Sequence, residues 1–355
     1  MICKSASYQN FRNIASADVV FSSEINLILG DNAVGKTSAI EGIYLCALGR
    51  SHRTSKEKEF IKFGEEAARI SLSYEDRDRE QTLAMAWSQK GRKQCAKNGV
   101  IIKKMSEFIG HFRAVLFTPE HLSIIKDGPA MRRAFLDNAI SQLNPVYVAS
   151  LQRYQSVLQQ RNRILQDALK DQSLLDTLDI WSDQLAEEAA TISRLRAEYV
   201  ERANGFVCDI FSDMTDGREK PELIYTGERS KEDFMKKLTE NTMREMYYGA
   251  TMFGTHKDDI TVLLNGKEAR SYASQGQQRS LSLAMKLAEG EISREDSGEY
   301  PVFLFDDVLS ELDTARKQYV IAGLKGRQVI ITTCERDIFP KDSYQINVKD
   351  GRFYQ

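Results

Sequence analysis

Apolar residues in the first hundred positions fall in short runs, at 19–21 and 25–29, or alternate with polar ones, as at 69–74. Both patterns are those of strands. Asn98-Gly99 and Asn265-Gly266 supply the positive-φ pair of a type I′ hairpin, so two pieces of antiparallel sheet are expected at opposite ends of the chain. Between them the period changes. Residues 145–211 have no internal Pro and a single Gly, Gly205. Leu151, Tyr154, Leu158 and Leu165 form one helical stripe, and Leu178, Trp181, Leu185, Ile192, Leu195 and Tyr199 a second. The spacing predicts two antiparallel helices turning near 171–173, either packed as a bundle or projecting as a short arm. Toward the C-terminus, Pro301-Val302-Phe303-Leu304-Phe305-Asp306-Asp307 is an apolar run ending in two carboxylates, which suits a central parallel strand buried on both faces.

The chemistry is concentrated in residues 30–37, Gly-Asp-Asn-Ala-Val-Gly-Lys-Thr. The apolar run 25–29 precedes this stretch and a plausible helix, 37 to about 48, follows it. This is the strand–loop–helix setting of a phosphate-binding loop. Gly30 and Gly35 let successive N–H groups turn inward to cradle phosphate oxygens, and the helix N-terminus adds positive potential. Lys36 would reach the β- and γ-phosphates and Thr37 would hold Mg²⁺. Asp306, at the C-terminal end of its strand, suits Mg²⁺ as well, and Asp307 suits orientation or deprotonation of an attacking water. Some thirty residues earlier stands Ser274-Gln275-Gly276-Gln277-Gln278, with Ser274 as N-cap of a helix expected to run to about 291. A second anion-accepting helix end is therefore expected in a chain with one nucleotide loop.

Composition narrows the class. The chain has 355 residues, 42% hydrophobic, with a formal net charge of −2. That length allows about two domains, and the charge balance confines any nucleic-acid surface to a local patch. Five scattered cysteines without paired spacing, no signal-peptide h-region and no membrane span lead to the expectation of a reduced, cytoplasmic protein. Four dispersed histidines offer no metal cluster.

The order of these motifs, followed by Ser310-Glu311-Leu312-Asp313, resembles that of the ATP-binding cassette ATPases. More narrowly it is similar to the RecF family, the bacterial DNA replication and repair proteins of the SMC-like branch. The further matching stretches are Asn10-Phe11-Arg12-Asn13, Gly49-Arg50-Ser51-His52-Arg53, Phe117-Thr118-Pro119-Glu120, Arg132-Arg133 with Phe135-Leu136-Asp137, and Gly254-Thr255-His256-Lys257-Asp258-Asp259. The resemblance implies an α/β fold: an ATP-binding cassette-type P-loop head with a mixed sheet, plus a mainly helical lobe with a short antiparallel arm. The head would comprise 1–117 and 256–355, the latter including the signature helix, with the lobe at 118–255.

By the same resemblance Gly30, Asn32, Gly35, Lys36, Thr37 and Ser38 would bind ATP, with Arg12 near the nucleotide. Ser274, Gly276 and Gln277 would contact ATP held by a second protomer, so that ATP joins two heads. Lys36, Asp306 and Asp307 would carry hydrolysis, and Thr37 and Asp306 the Mg²⁺. It further implies ATP-dependent DNA binding at duplexes and duplex/single-strand junctions, RecR and RecO-type partners, recombinase loading at gaps and stalled forks, and a place in the DNA-damage (SOS) response. Transporter-type cassettes have Glu where Asp307 stands and a switch histidine after the next strand, expected here at 328–331; Thr332-Thr333-Cys334 follows instead. A shorter carboxylate is expected to give slow, DNA-stimulated turnover. Candidate DNA-contacting cations are Arg53, Lys56, Lys58, Lys103, Lys104, Arg132 and Arg133. The principal alternative is an ATPase subunit energising a membrane transporter. An SMC-type tether would need far longer coiled coils, and a P-loop kinase would leave 274–278 unexplained.

Overall fold

The computed structural model describes residues 1–77, 79–168, 171–334, 339–340 and 342–354. The chain begins with β1 (Ile2–Phe11), β2 (Ile14–Val20) and β3 (Ile25–Leu29), then α1 (Lys36–Leu48). There follow β4 (Ala67–Glu75), β5 (Glu80–Ser88), β6 (Gln94–Lys97), β7 (Val100–Ile102), a single turn α2 (Met105–Phe108) and β8 (Ala114–Phe117). The middle contains α3 (Pro129–Leu143), α4 (Pro145–Asp167), α5 (Leu178–Thr215), β9 (Pro221–Tyr225) and α6 (Lys231–Tyr248). The last part has β10 (Ile260–Leu264), β11 (Lys267–Glu268), a short α7 (Ala269–Tyr272) and α8 (Gln275–Ser297). It closes with β12 (Val302–Asp306), α9 (Thr314–Gly323), β13 (Val329–Thr333), β14 (Tyr344–Lys349) and β15 (Arg352–Tyr354).

Two sheets build the head. One is antiparallel, in the order β2-β1-β4-β5-β6-β7. The other is mixed, in the order β15-β14-β3-β13-β12-β8, with every neighbouring pair parallel except β14 and β15. All residues of β8, β12 and β13 are buried, as expected of strands covered on both faces. Helix α1 lies between the sheets, with only Thr37 of its residues not fully buried, and shares one core with Ile70 and Leu72 of β4 and Leu304 of β12. On the opposite face of the mixed sheet, Leu27, Leu29, Phe303 and Phe305 meet Leu283 and Leu287 of α8 and Val320 of α9. The period-2 alternation of β3 thus places Ile28 toward α1 and its neighbours toward α8 and α9.

A third core joins α3, α4, α5, α6, β9, β10 and the middle of α8 through residues such as Tyr154, Ile192, Phe234, Val262 and Leu281. The α4–α5 pair is braced along its length and does not project alone. Arg161 of α4 pairs with Glu245 of α6, both wholly buried, and Gln166 donates to Gly249 O. The turn between the helices is a 3₁₀ segment, Gln172–Thr177, with Asp171 capping it. Two boundaries differ from expectation. Helix α8 runs past 291: Ile292 still packs in the lobe core, the polar turn after it gives no apolar signal, and Gly298, at φ +70, ends it. Strand β13 covers 329–333 because Thr332 and Thr333 continue the parallel ladder onto β3.

Candidate active site

The phosphate-loop sequence folds under the C-terminal edge of the mixed sheet. A Cβ on Gly30 would sit 2.4 Å from Val348 O, so any other residue would collide with β14 backbone. Gly35 has φ +118 and opens α1. The Asn13 side chain pins this loop: it accepts from Ser38 Oγ at 2.9 Å and donates to Ala33 O at 3.2 Å. Lys36 is buried, its ammonium donating to Gly30 O at 2.6 Å and Asp31 O at 3.2 Å. Cys334 Sγ stands 3.2 Å from the same ammonium and 3.6 Å from Asn32 Oδ1, where the sequence lacked a histidine.

Thr37 and the first carboxylate of β12 meet here. Thr37 Oγ1 donates to Asp306 Oδ1 at 2.9 Å. Burial raises the Asp306 carboxyl pKa, and hydrogen bonds from Thr332 and Thr37 oppose that rise. Asp307 leaves the strand with φ +52, uncommon for a residue other than Gly, and starts the 3₁₀ turn Val308–Glu311. Its N–H donates to Thr332 Oγ1 at 3.0 Å and its carbonyl accepts from Ser310 Oγ at 2.6 Å. Among the described residues no group of three or more His, Cys, Asp or Glu side chains converges on a metal-sized site. A hydroxyl beside one buried carboxylate instead suits Mg²⁺, which takes few protein ligands and completes its shell with phosphate oxygens and water.

Two clefts open on this centre. One, of ≈ 540 Å³, is bordered by Arg12, Asn32, Lys36, Thr37, Ser38 and Phe63. The other, of ≈ 890 Å³, is bordered by Thr37, Asp306, Asp307, Arg50, Arg53 and Arg133. Arg12 thus flanks the loop as expected, but its guanidinium is held by Glu41 of α1 at 3.0 and 2.7 Å, and it donates to Glu59 O at 3.0 Å. Glu41 is wholly buried and also accepts from Ser51 Oγ at 2.5 Å and Arg53 at 3.1 Å. Burial acts to raise its carboxyl pKa, yet the bonds from Arg12 and Ser51 and the charges of Arg12 and Arg53 hold it below the usual carboxylate range.

The structure does not bring the second helix end to the first. Ser274 is exposed and caps α8 by a reciprocal box: its Oγ accepts from Gln277 N at 3.3 Å and its N–H donates to Gln277 Oε1 at 2.6 Å. Gln277 also reaches Glu219, and Gly276 O accepts from Arg316 at 2.9 Å. Among the described residues no hydrogen bond or ion pair links 274–278 with 30–38. The 310–313 segment is tied to α8 instead: Arg279 donates to Glu311 O at 2.8 Å, and Arg316, which pairs with Asp313, donates to Ser280 Oγ at 2.7 Å.

Sequence reasoning missed Glu41 and Thr332. An acidic residue inside an otherwise apolar helix was the available signal for the first; the second needed the register of β13 on β12. Arg132 does not fit its place among the DNA-contacting candidates. It is buried, grips Asp259 at 2.7 and 2.9 Å and donates to Asp127 O at 2.7 Å. Arg133 donates to Asp258 O at 2.8 Å but also borders the larger cleft.

The family model described as RecF/RecN/SMC N terminal domain matches residues 3–352. The chain is 41% identical over 349 residues to the DNA replication and repair protein RecF of Agathobacter rectalis, covering 98% of this chain and 96% of that one. Identity to the RecF of Lachnospira eligens is 38% over 357 residues, covering 99% and 98%. A solved structure of the recombination mediator protein RecF-ATP in the RecFOR pathway superposes with a TM-score of 0.92 at 35% identity, covering 99% of this chain and 97% of that one. An SMC head bound to the C-winged helix domain of ScpA matches at a TM-score of 0.59 and 16% identity over 99% of this chain, a likeness of fold. The P-loop head with its mixed sheet and helical lobe is therefore the architecture read from the sequence.

Proposed function

Because this chain belongs to the RecF family of DNA replication and repair proteins, we propose that it is an ATP-gated homodimeric DNA clamp acting at gaps and stalled forks. One observation supports the gating above all: two anion-accepting helix ends in one chain, α1 at the phosphate loop and α8 at exposed Ser274, with no bonded link between them among the described residues. Two protomers related by a twofold axis would place each Ser274 end against the other's ATP and complete two sites at once. The ATP named with a solved RecF relative supports the choice of nucleotide.

In this reading the N–H groups of 30–37 and Lys36 hold the β- and γ-phosphates, and Asn32 and Ser38 line the site. Mg²⁺, held by Thr37 and Asp306, would neutralise charge on the phosphates. Asp307 orients the attacking water, and Arg12, anchored by Glu41, borders the nucleotide. Ser274, Gly276 and Gln277 face the partner's γ-phosphate. The head is placed at 1–117 and 256–355 and the lobe at 118–255, with β10 (Ile260–Leu264) packed in the lobe core through its pairing with β9. Closing the dimer would align modest basic patches into one groove, making DNA affinity ATP-dependent and salt-sensitive. Slow DNA-stimulated hydrolysis then reopens it.

The recombination mediator role and RecFOR pathway named with the solved relative support RecO- and RecR-type partners and recombinase loading; action at duplex/single-strand junctions in the cytoplasm completes the proposal. No helix among the described residues is long and apolar enough to cross a membrane. Fluorescence anisotropy of labelled gapped DNA tests the proposal. Affinity should rise at least tenfold with Mg²⁺–ATP over no nucleotide and fall steeply with salt. Equal affinity with and without ATP would contradict a nucleotide-gated clamp.

A further inference from the structure

One hydroxyl, that of Thr332, holds both the Asp306 carboxylate at the end of β12 and the backbone N–H of Asp307 that follows it. Parallel pairing sets Asp306 opposite Thr332 and, on the other side of β13, Thr332 opposite Ile28. The residue is 1% exposed. A threonine hydroxyl has one hydrogen to give and lone pairs to accept with. Here it donates to Asp306 Oδ1 at 2.8 Å and accepts from Asp307 N–H at 3.0 Å. The first bond fixes the carboxylate that adjoins Thr37. The second helps hold Asp307 at φ +52, ψ +10, a left-handed conformation that is costly for a residue with a Cβ and that turns its side chain to the rims of both clefts.

We propose that Thr332 is a positioning residue for hydrolysis, orienting Asp306 toward the cation and Asp307 toward the water through its hydroxyl. This rests on the nucleotide reading given above. With Thr37 given over to the cation, Thr332 is the hydroxyl that keeps Asp306 oriented. Groups of this kind, one bond removed from a metal, typically change affinity or activity by about 10–100-fold when lost. The competing account is that Thr332 only suits a buried strand, where Val is its isostere and would serve as well.

The two accounts separate on Thr332→Val and Thr332→Ser. The readouts are ADP and ATP affinity in EDTA, Mn²⁺ affinity of the ADP-bound protein by electron paramagnetic resonance, and kcat. Thr332→Val should bind nucleotide in EDTA within about twofold of wild type, bind Mn²⁺ about tenfold more weakly and lose at least about tenfold in kcat. Thr332→Ser, which keeps the hydroxyl, should recover both to within about threefold. Thr332→Val with wild-type Mn²⁺ affinity and kcat overturns the inference. So does Thr332→Ser as impaired as Thr332→Val, since packing would then be the cause. Wild type that binds nucleotide in neither condition overturns the nucleotide reading itself, and this inference with it.

Discussion

Glu41 is the anchor on which the loop carrying Arg12, the phosphate-loop helix and the 50–53 segment converge, and Glu41→Gln should damage stability and nucleotide binding together. The wild-type carboxylate accepts two bonds from Arg12, one from Ser51 and one from Arg53, in a site with no solvent access. Gln keeps one acceptor oxygen, loses the charge and turns an NH₂ group toward donors. Breaking a buried pair typically costs about 3–5 kcal/mol because the remaining charge is left uncompensated. Arg12 is nearly buried, with 16% of its side chain exposed, so it suffers most of that loss; Arg53 is 44% exposed and adds under about 0.5 kcal/mol.

The expected cost is about 3 kcal/mol. Spread over an unfolding entropy of about 0.7 kcal/mol/K for a chain of this size, that is a fall in Tm of about 4 °C if the chain unfolds as one unit. Calorimetry gives the number, and a double-mutant cycle with Arg12→Met isolates the pair, for which a coupling of at least about 1.5 kcal/mol is expected. Because native Glu41 titrates below its unfolded value, its contribution is present above about pH 4.5 and fades as pH falls through the native pKa. ATP affinity should fall as well, since Arg12 would no longer be fixed at the cleft. A Tm change under 1 °C, or a coupling near zero, would refute the reasoning.

Three further outcomes follow from individual sites. Glu245→Ala leaves Arg161 charged and wholly buried with, among the described residues, the Ser182 and Thr251 hydroxyls at 3.0 and 2.8 Å as its remaining hydrogen-bond partners, so urea titration should show a loss of about 3–5 kcal/mol. His256 is held neutral between Tyr154 OH at 2.6 Å and Thr251 O at 3.1 Å, and burial takes its pKa down to about 4. Since the unfolded chain binds that proton near pH 6.5, stability should drop by up to about 3 kcal/mol as pH falls from 6.5 to 4. His256→Gln should flatten this part of the acid profile; an unchanged slope in urea titrations at pH 7 and 4.5 would count against it. Asp307→Asn keeps the backbone geometry but removes the group assigned to the water, so single-turnover hydrolysis should fall at least about a hundredfold with ATP affinity little changed.

What the sequence made legible was local chemistry. The loop at 30–37, the Ser274 cap and the paired carboxylates after an apolar strand each carry their signal within a few residues, so the elements they begin or end could be read before any fold was known. Features set by distant pairing could not. Thr332 acquires its place only once β13 is laid beside β12 in one register. Arg132 reads as a surface cation until Asp259, 127 positions later, closes on it in the lobe. The packing of the α4–α5 pair was ambiguous for the same reason, because the helix that braces it follows only after β9. Periodicity gives the face of a helix that is buried and says nothing of which element covers it.

The central claim, that ATP closes two copies through the α1 and α8 helix ends, is tested most directly by sedimentation velocity with Mg²⁺–ATP. Wild type should move from monomer to dimer on adding ATP, while Lys36→Arg and Ser274→Arg each stay monomeric. An equimolar mixture of the two variants should recover a partial dimer, since it can assemble one intact composite site. Wild type that binds ATP yet remains a monomer in every condition, or Ser274→Arg that dimerises as wild type does, would contradict the account.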